Sequence, residues 1–151
     1  MKHKIFFYRN VKRFEGLLTT NDDILIVRFD AQLYFANVQF FKDKMEEFVA
    51  EKGIGLKLIV IDGESINSID SSGIYMLTDI MEKYKKMKVE MAFSGMKGPV
   101  RDVLEKSGIM KKISYQNSFL SIQEAVDAYN ERKTNNELEV KYFEYIKQTN
   151  N

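Results

Sequence analysis

The chain has 151 residues, 44% hydrophobic and 30% charged, which suits one water-soluble globular domain large enough to bury its own core. Lys plus Arg (23) balances Asp plus Glu (22), so no bulk field selects nucleic acid or an acidic substrate. The absence of cysteine excludes disulfides, thiolate zinc sites and thiol nucleophiles, and His3, the single histidine, leaves little for imidazole acid-base chemistry or multi-histidine metal centres.

Residues 1–10 form a lead-in, and Lys2, Lys4, Arg9, Lys12 and Arg13 make the opening basic without any acid before Glu15. It lacks the apolar run of a signal peptide, and no stretch of the chain reaches spanning length. Its lysines, arginines and aromatics (Phe6, Phe7, Tyr8) suit an anionic surface or, more simply, a solvated tail beside an edge strand. Ile24 to Phe29 is β-branched and apolar, a strand, and Leu33-Tyr34-Phe35 is expected to add a second short strand to the same sheet. Asn37 is placed to cap a helix with Val38, Phe41, Met45, Phe48 and Val49 on one face, ended by Gly53. Leu56 to Asp62 reads as a buried strand; Ile74, Leu77, Met81 and Tyr84 keep helical spacing to about Lys86; Val89 to Phe93 is the next strand. Met76, Met81 and Met87 read as core packing. Pro99 opens a short helix that Gly108 stops. Lys112-Ile113-Ser114-Tyr115 is expected to be a strand, and Ser121-Ile122-Gln123-Glu124 is a capping box for a helix running towards Arg132. Residues 133–151, with Thr134-Asn135-Asn136 near their start, form a polar tail whose Leu138, Tyr142, Tyr145 and Ile146 share a helical face, predicting an appended helix over about 137–146 that packs against a neighbour or a larger parent protein. Strands alternating with helices imply parallel crossovers, hence an α/β domain with a mixed, mostly parallel sheet, about four helices and the appended one.

Asp70-Ser71-Ser72-Gly73 lies where a helix begins, and a helix N-terminus offers unpaired N–H groups and partial positive charge. Ser71 is therefore a candidate phosphoacceptor or partner contact, with Asp70, Ser72 and Gly73 as its surface; the same residues also make a plain cap. Ser94-Gly95-Met96-Lys97-Gly98 joins a strand end to another helix start, so Ser94, Gly95, Lys97 and Gly98 are weaker candidates for an anion or nucleotide, although the loop lacks the Walker A spacing. Asp62, Glu64 and Asp70 stand near a strand's carboxyl end, where magnesium or carboxylate-pair chemistry is conceivable, but no base accompanies them and a solvated loop explains them. No catalytic set and no metal site is expected.

Ile24, Val27 and Arg28 leading to Leu33-Tyr34-Phe35-Ala36-Asn37, then Asp70-Ser71-Ser72-Gly73, then Gly95-Met96-Lys97-Gly98-Pro99-Val100-Arg101 before Leu104-Glu105-Lys106-Ser107-Gly108, resemble a STAS domain over residues 11–132. This is the family of anti-sigma-factor antagonists and of the cytoplasmic C-terminal regions of SulP-type anion transporters. The Leu-Tyr-Phe-Ala-Asn run, the Lys-Gly-Pro-Val-Arg helix start and Arg9-Asn10-Val11-Lys12-Arg13 resemble the transporter-linked group more closely. The resemblance implies a non-enzymatic regulatory domain at the cytoplasmic face of a membrane, with the parent transporter's membrane domain as partner and a regulatory protein or kinase as a further one. A basic segment after a last membrane span fits the preference for cytoplasmic positive charge. In antagonists the first serine of the motif is phosphorylated by a partner kinase, which carries over to Ser71; in transporter-linked members that position is often altered. Nucleotide binding has been associated with the family, and no cofactor is otherwise implied. A free-standing antagonist is the alternative.

Overall fold

The computed structural model describes residues 7–8, 23–113 and 117–150. Five strands form one sheet in sequence order: β1 (Phe7–Tyr8), β2 (Ile24–Phe29), β3 (Leu58–Asp62), β4 (Glu90–Ser94) and β5 (Ser118–Phe119). β1 is antiparallel to β2, and β2 to β5 are parallel. The helices among the described residues are α1 (Val38–Lys52), α2 (Ser71–Lys86), α3 (Gly98–Lys106), α4 (Ile109–Ile113) and α5 (Ile122–Thr149). The sheet is mixed and mostly parallel, as the alternation of elements requires.

Period-two alternation splits the strand residues between two faces. Leu25, Val27, Phe29, Ile59, Ile61, Met91 and Phe93 join the larger core with α1 to α4. Ile24, Ile26, Leu58, Val60 and Ala92 face the other way, onto Ile122, Ala125 and Val126 of α5. Strand β3 is buried along its whole length, as expected of a strand covered on both faces. Helices α1 and α2 are also linked by Lys42–Asp79 (2.7 Å) and Lys83–Glu46 (2.8 Å). Burial, with Glu46 nearby, pushes the Tyr84 phenol up to about 12.

Helix α5 starts beyond the carboxyl ends of the strands and runs back to their amino ends. There Tyr129 and Lys133 donate to Asp23, and Arg132 meets Glu90 at 3.1 Å. Burial alone would raise Asp23, but these two donors outweigh it and hold its carboxyl low. Burial and Asp23 together push the Tyr129 phenol up.

Several elements differ from expectation. Leu33-Tyr34-Phe35 does not extend the sheet: Leu33 bridges Ile69 in a parallel pair, and β1 occupies the free edge of β2. Lys112-Ile113 ends helix α4, because Ile109, Met110 and Ile113 are buried at helical spacing while Lys111 and Lys112 are both exposed, which strand alternation forbids. The last strand is β5, and Ser114 and Tyr115 lie outside the described residues. The tail helix is the second half of α5, since Thr134-Asn135-Asn136 contains neither glycine nor proline and costs a helix only about 0.6 kcal/mol per residue. Met76 is buried and Met81 half-buried, but Met87 is 53% exposed and is not core. Most of the basic lead-in lies outside the described residues. Among the described residues no helix is long and apolar enough to cross a membrane.

Candidate functional site

The first turn of α2 is assembled from two segments far apart in the chain, residues 32–37 and 68–73. Asp70 is its N-cap: one carboxylate oxygen accepts the Gly73 N–H at 2.9 Å, which selects it among the four residues of the motif. The other oxygen accepts the Phe35 N–H at 3.0 Å. The Leu33 N–H donates to Ser68 O and the Asp70 N–H to Leu33 O, both at 3.0 Å, so the 32–37 loop is stitched along the segment that enters α2. Asn37 sits at the N-cap position of α1 but makes no side-chain cap there. Being fully buried, it instead accepts the Tyr34 N–H and donates to Gln32 O, folding the loop that presents Phe35.

Gly73 is needed for space. A Cβ there would lie 2.7 Å from Ile69 Cγ1 and 2.8 Å from the Leu33 carbonyl oxygen. Close contact at Gly73 leaves Ser71 on the outer face, exposed, with Ser72 half-buried. Phe35 is 75% exposed and Tyr75, one helical turn after Ser71, is 77% exposed. An exposed hydroxyl with one exposed aromatic a turn along its helix and another on the loop tied to its N-cap makes a surface that can dock a protein segment. Phe35 and Tyr75 escape a reading by periodicity; the available signal was an apolar triplet, Leu33-Tyr34-Phe35, too close to Asn37 for all its members to be buried.

The second turn is built differently. Ser94, in register with Asp62 of β3 and fully buried, has a hydroxyl without a hydrogen-bond partner among the described residues. Gly95 takes φ +64°, its N–H donating to Phe119 O at 3.0 Å. Lys97 Nζ donates to Asn67 Oδ1 at 2.7 Å, and Gly98 opens α3 on the exposed side. Thus Ser94 points into the fold while Lys97 and Gly98 lie outside, and the four residues do not form one cradle.

The carboxylates also separate. Asp62 is buried and accepts the Glu64 N–H at 3.1 Å, whereas Asp70 uses both oxygens on backbone donors. Among the described residues no group of three acidic, histidine or cysteine side chains is arranged to hold a metal ion. Beside Asp62 in register, Arg28 donates to Asp30 and Ser65, both at 2.7 Å. Its pKa is raised, chiefly by the hydrogen bond to Asp30, so the guanidinium is a permanent structural cation.

Comparison with known proteins agrees with this architecture. The family model for the STAS domain matches residues 17–125. "Probable sulfate transporter 4.2" of Arabidopsis thaliana is 31% identical over 128 residues, which is 79% of this chain and 19% of that protein. The murine Solute Carrier 26 family member A9 anion transporter, solved in the inward-facing state, superposes with TM-score 0.67 at 23% identity over 86% of this chain and 21% of that one. The anti-sigma factor antagonist SpoIIAA in its unphosphorylated form gives TM-score 0.61 at 15% identity, covering 83% of this chain and 96% of its own. The two structural likenesses show a shared fold. The chain spans about a fifth of the length of the curated sulfate transporters it matches.

Proposed function

The chain belongs to the STAS domain family, and from that membership we propose that it is the non-catalytic, cytoplasmic regulatory domain of a SulP-type anion transporter. The observation that carries the reading is the first turn of α2, where Ser71 and Tyr75 are exposed and the loop carrying exposed Phe35 is locked to the turn by Asp70. The sulfate-transporter relatives supply the parent class. Strand β1 begins opposite the last residue of β2, so the chain enters the sheet at the end where α2 starts. A membrane domain joined ahead of β1 would meet that end first.

Regulation then works by differential docking. A partner, or a phosphate on Ser71, shifts transport only if the docked surface distinguishes two transporter states. A phosphate adds close to two negative charges beside Asp70 at a helix N-terminus, where the dipole favours it and the carboxylate opposes it. The test is binding of this chain to the separately produced membrane domain of its parent protein. Phe35→Asp and Ser71→Glu should each weaken association by at least about tenfold while leaving the fold intact. No association, or association indifferent to both changes, overturns the reading.

A second reading is favoured by the intact Asp70-Ser71-Ser72-Gly73 motif with its exposed first serine. In it the chain is a free-standing antagonist that binds a kinase-like anti-sigma factor until Ser71 is phosphorylated. Incubation with the cognate kinase should add one phosphate by intact mass, and Ser71→Ala should abolish it. An unmodified wild-type chain sinks this alternative. Nucleotide binding at the Lys97 turn is a lesser proposal, tested by whether ATP shifts the NMR signals of residues 95–100.

A further inference from the structure

Positive charge gathers at the end of the sheet opposite Ser71, although Lys plus Arg (23) and Asp plus Glu (22) balance over the chain. Two clefts open where α5 passes the amino end of β4, and they meet at the Arg132–Glu90 pair, which lines both. Together they are lined by six cations, Lys57, Lys85, Lys88, Lys112, Arg132 and Lys133, against two acids, Glu90 and Glu137. Ion pairs occupy three of the six: Lys112 with Glu82 at 3.4 Å, and Arg132 with Glu90 and Lys133 with Asp23, both at 3.1 Å. Lys57, Lys85 and Lys88 have no ion-pair partner among the described residues. Glu137 shares the second cleft with Lys57 and Lys88 and pairs with neither, so its single charge leaves an excess of cation.

Lys88 occupies its place at a conformational cost. It stops α2 at φ +59°, its N–H donating to Lys85 O at 3.0 Å and the Val89 N–H to Tyr84 O at 2.9 Å, a stop that glycine makes without strain. A lysine there puts a second unpaired cation into the cleft of Lys57, and like charges in one cleft call for an anion between them. The other cleft, of about 350 Å³, has a floor of buried Val89, Met91 and Ile113 with half-buried Met81, and its lysines, Lys85 and Lys112, are exposed. Asn117 also lines it, and the Asn117 Oδ1 is a buried acceptor without a hydrogen-bond donor. This cleft therefore offers cations, an apolar floor and an open acceptor together.

We propose that this end of the domain docks an acidic linear segment of a partner protein, an extended run of Asp and Glu that carries one bulky apolar side chain. The apolar side chain lies on the Met91 and Ile113 floor, and the carboxylates beside it meet Lys85 and Lys112. Carboxylates further along the segment pass Arg132 and meet Lys57 and Lys88. A polyphosphate would satisfy the lysines alone, having no apolar group for the floor and no N–H for Asn117. Single-stranded nucleic acid is held by stacking on aromatic rings, whereas Tyr129, the aromatic residue among those lining the clefts, gives its hydroxyl to Asp23 and packs into the α5 core. The inference is independent of the transporter reading, since it concerns the end of the sheet away from Ser71.

The test uses the full chain and a short fluorescent peptide of Asp and Glu around a central Phe. Anisotropy should show saturable binding that weakens as salt rises. Lys57→Glu and Lys85→Glu should each weaken it by about tenfold, and both side chains are exposed, so circular dichroism should be unchanged. Replacing the peptide's Phe with Gly should also cost about tenfold, the loss of one buried apolar side chain. Lys88→Gly separates the two roles of that residue: it relieves the strained backbone, so urea denaturation should show no loss of stability while binding weakens by about threefold. The absence of saturable binding overturns the proposal. So does binding indifferent to Lys85→Glu or Lys88→Gly, a peptide without Phe that binds as well as the original, or an oligonucleotide or inorganic polyphosphate that binds at least as tightly.

Discussion

The turns that open α2 and α3 follow neighbouring strands at one end of the sheet, yet they are held by different means. The Asp70 turn is fixed from outside itself, by a carboxylate divided between its own helix and the Phe35 N–H and by a glycine against the Leu33 carbonyl. The Lys97 turn is held by the positive φ of Gly95, the proline after Gly98, the Gly95 N–H on Phe119 O and one exposed bond from Lys97 to Asn67. Only the first turn is clamped by a capping carboxylate shared between two segments, and that is why Ser71 is the stronger candidate for docking.

The comparison can be broken most severely at Gly73. Gly73→Ala should destabilise by about 2 kcal/mol, overpacking against backbone outweighing the gain in helix propensity, as read by urea denaturation. A wild-type midpoint would show that the turn has slack. Asp70→Ala should cost about 1–2 kcal/mol through loss of the cap and of the Phe35 bond, and hydrogen exchange at the Phe35 and Gly73 amides should quicken together. If only Gly73 responds, the clamp between segments is not real. Gly95→Ala should cost about 1 kcal/mol, because φ +64° strains an L-residue although its Cβ would come no nearer than 3.4 Å to a neighbour; thermal melts against Gly73→Ala separate strain from crowding. Smallest of all, Lys97→Ala should change stability by less than about 0.5 kcal/mol, its bond being exposed. A larger loss would mean that the exposed Lys97–Asn67 bond braces the second turn as firmly as the Asp70 clamp braces the first.

Much of this was legible in the chain. The strand runs of β2 and β3, the apolar stripes of α1 and α2, a cap within Asp70-Ser71-Ser72-Gly73 and Ser71 in the first turn of its helix all follow from spacing and local hydrogen-bonding capacity. Leu33-Tyr34-Phe35 was read wrongly because its β propensity says nothing about which backbone it meets, and the partner proved to be Ile69. Asn37 was assigned a helix cap because its competing hydrogen bonds, to Tyr34 and Gln32, exist only once the loop is folded and buried. Lys112-Ile113 went to helix α4 because burial of Ile109, Met110 and Ile113 outweighed strand propensity.

What the sequence determined by itself is therefore everything governed by contacts a few residues apart: the periods of the elements, most of their caps, and the chemistry excluded by one histidine and no cysteine. Tertiary structure decided which segment takes the second oxygen of Asp70, that exposed Phe35 is carried to the first turn of α2, and which cleft the emerging part of α5 lines. These depend on pairings across 35 residues and more, where local propensity carries no information and the balance of burial and backbone hydrogen bonding selects the partner.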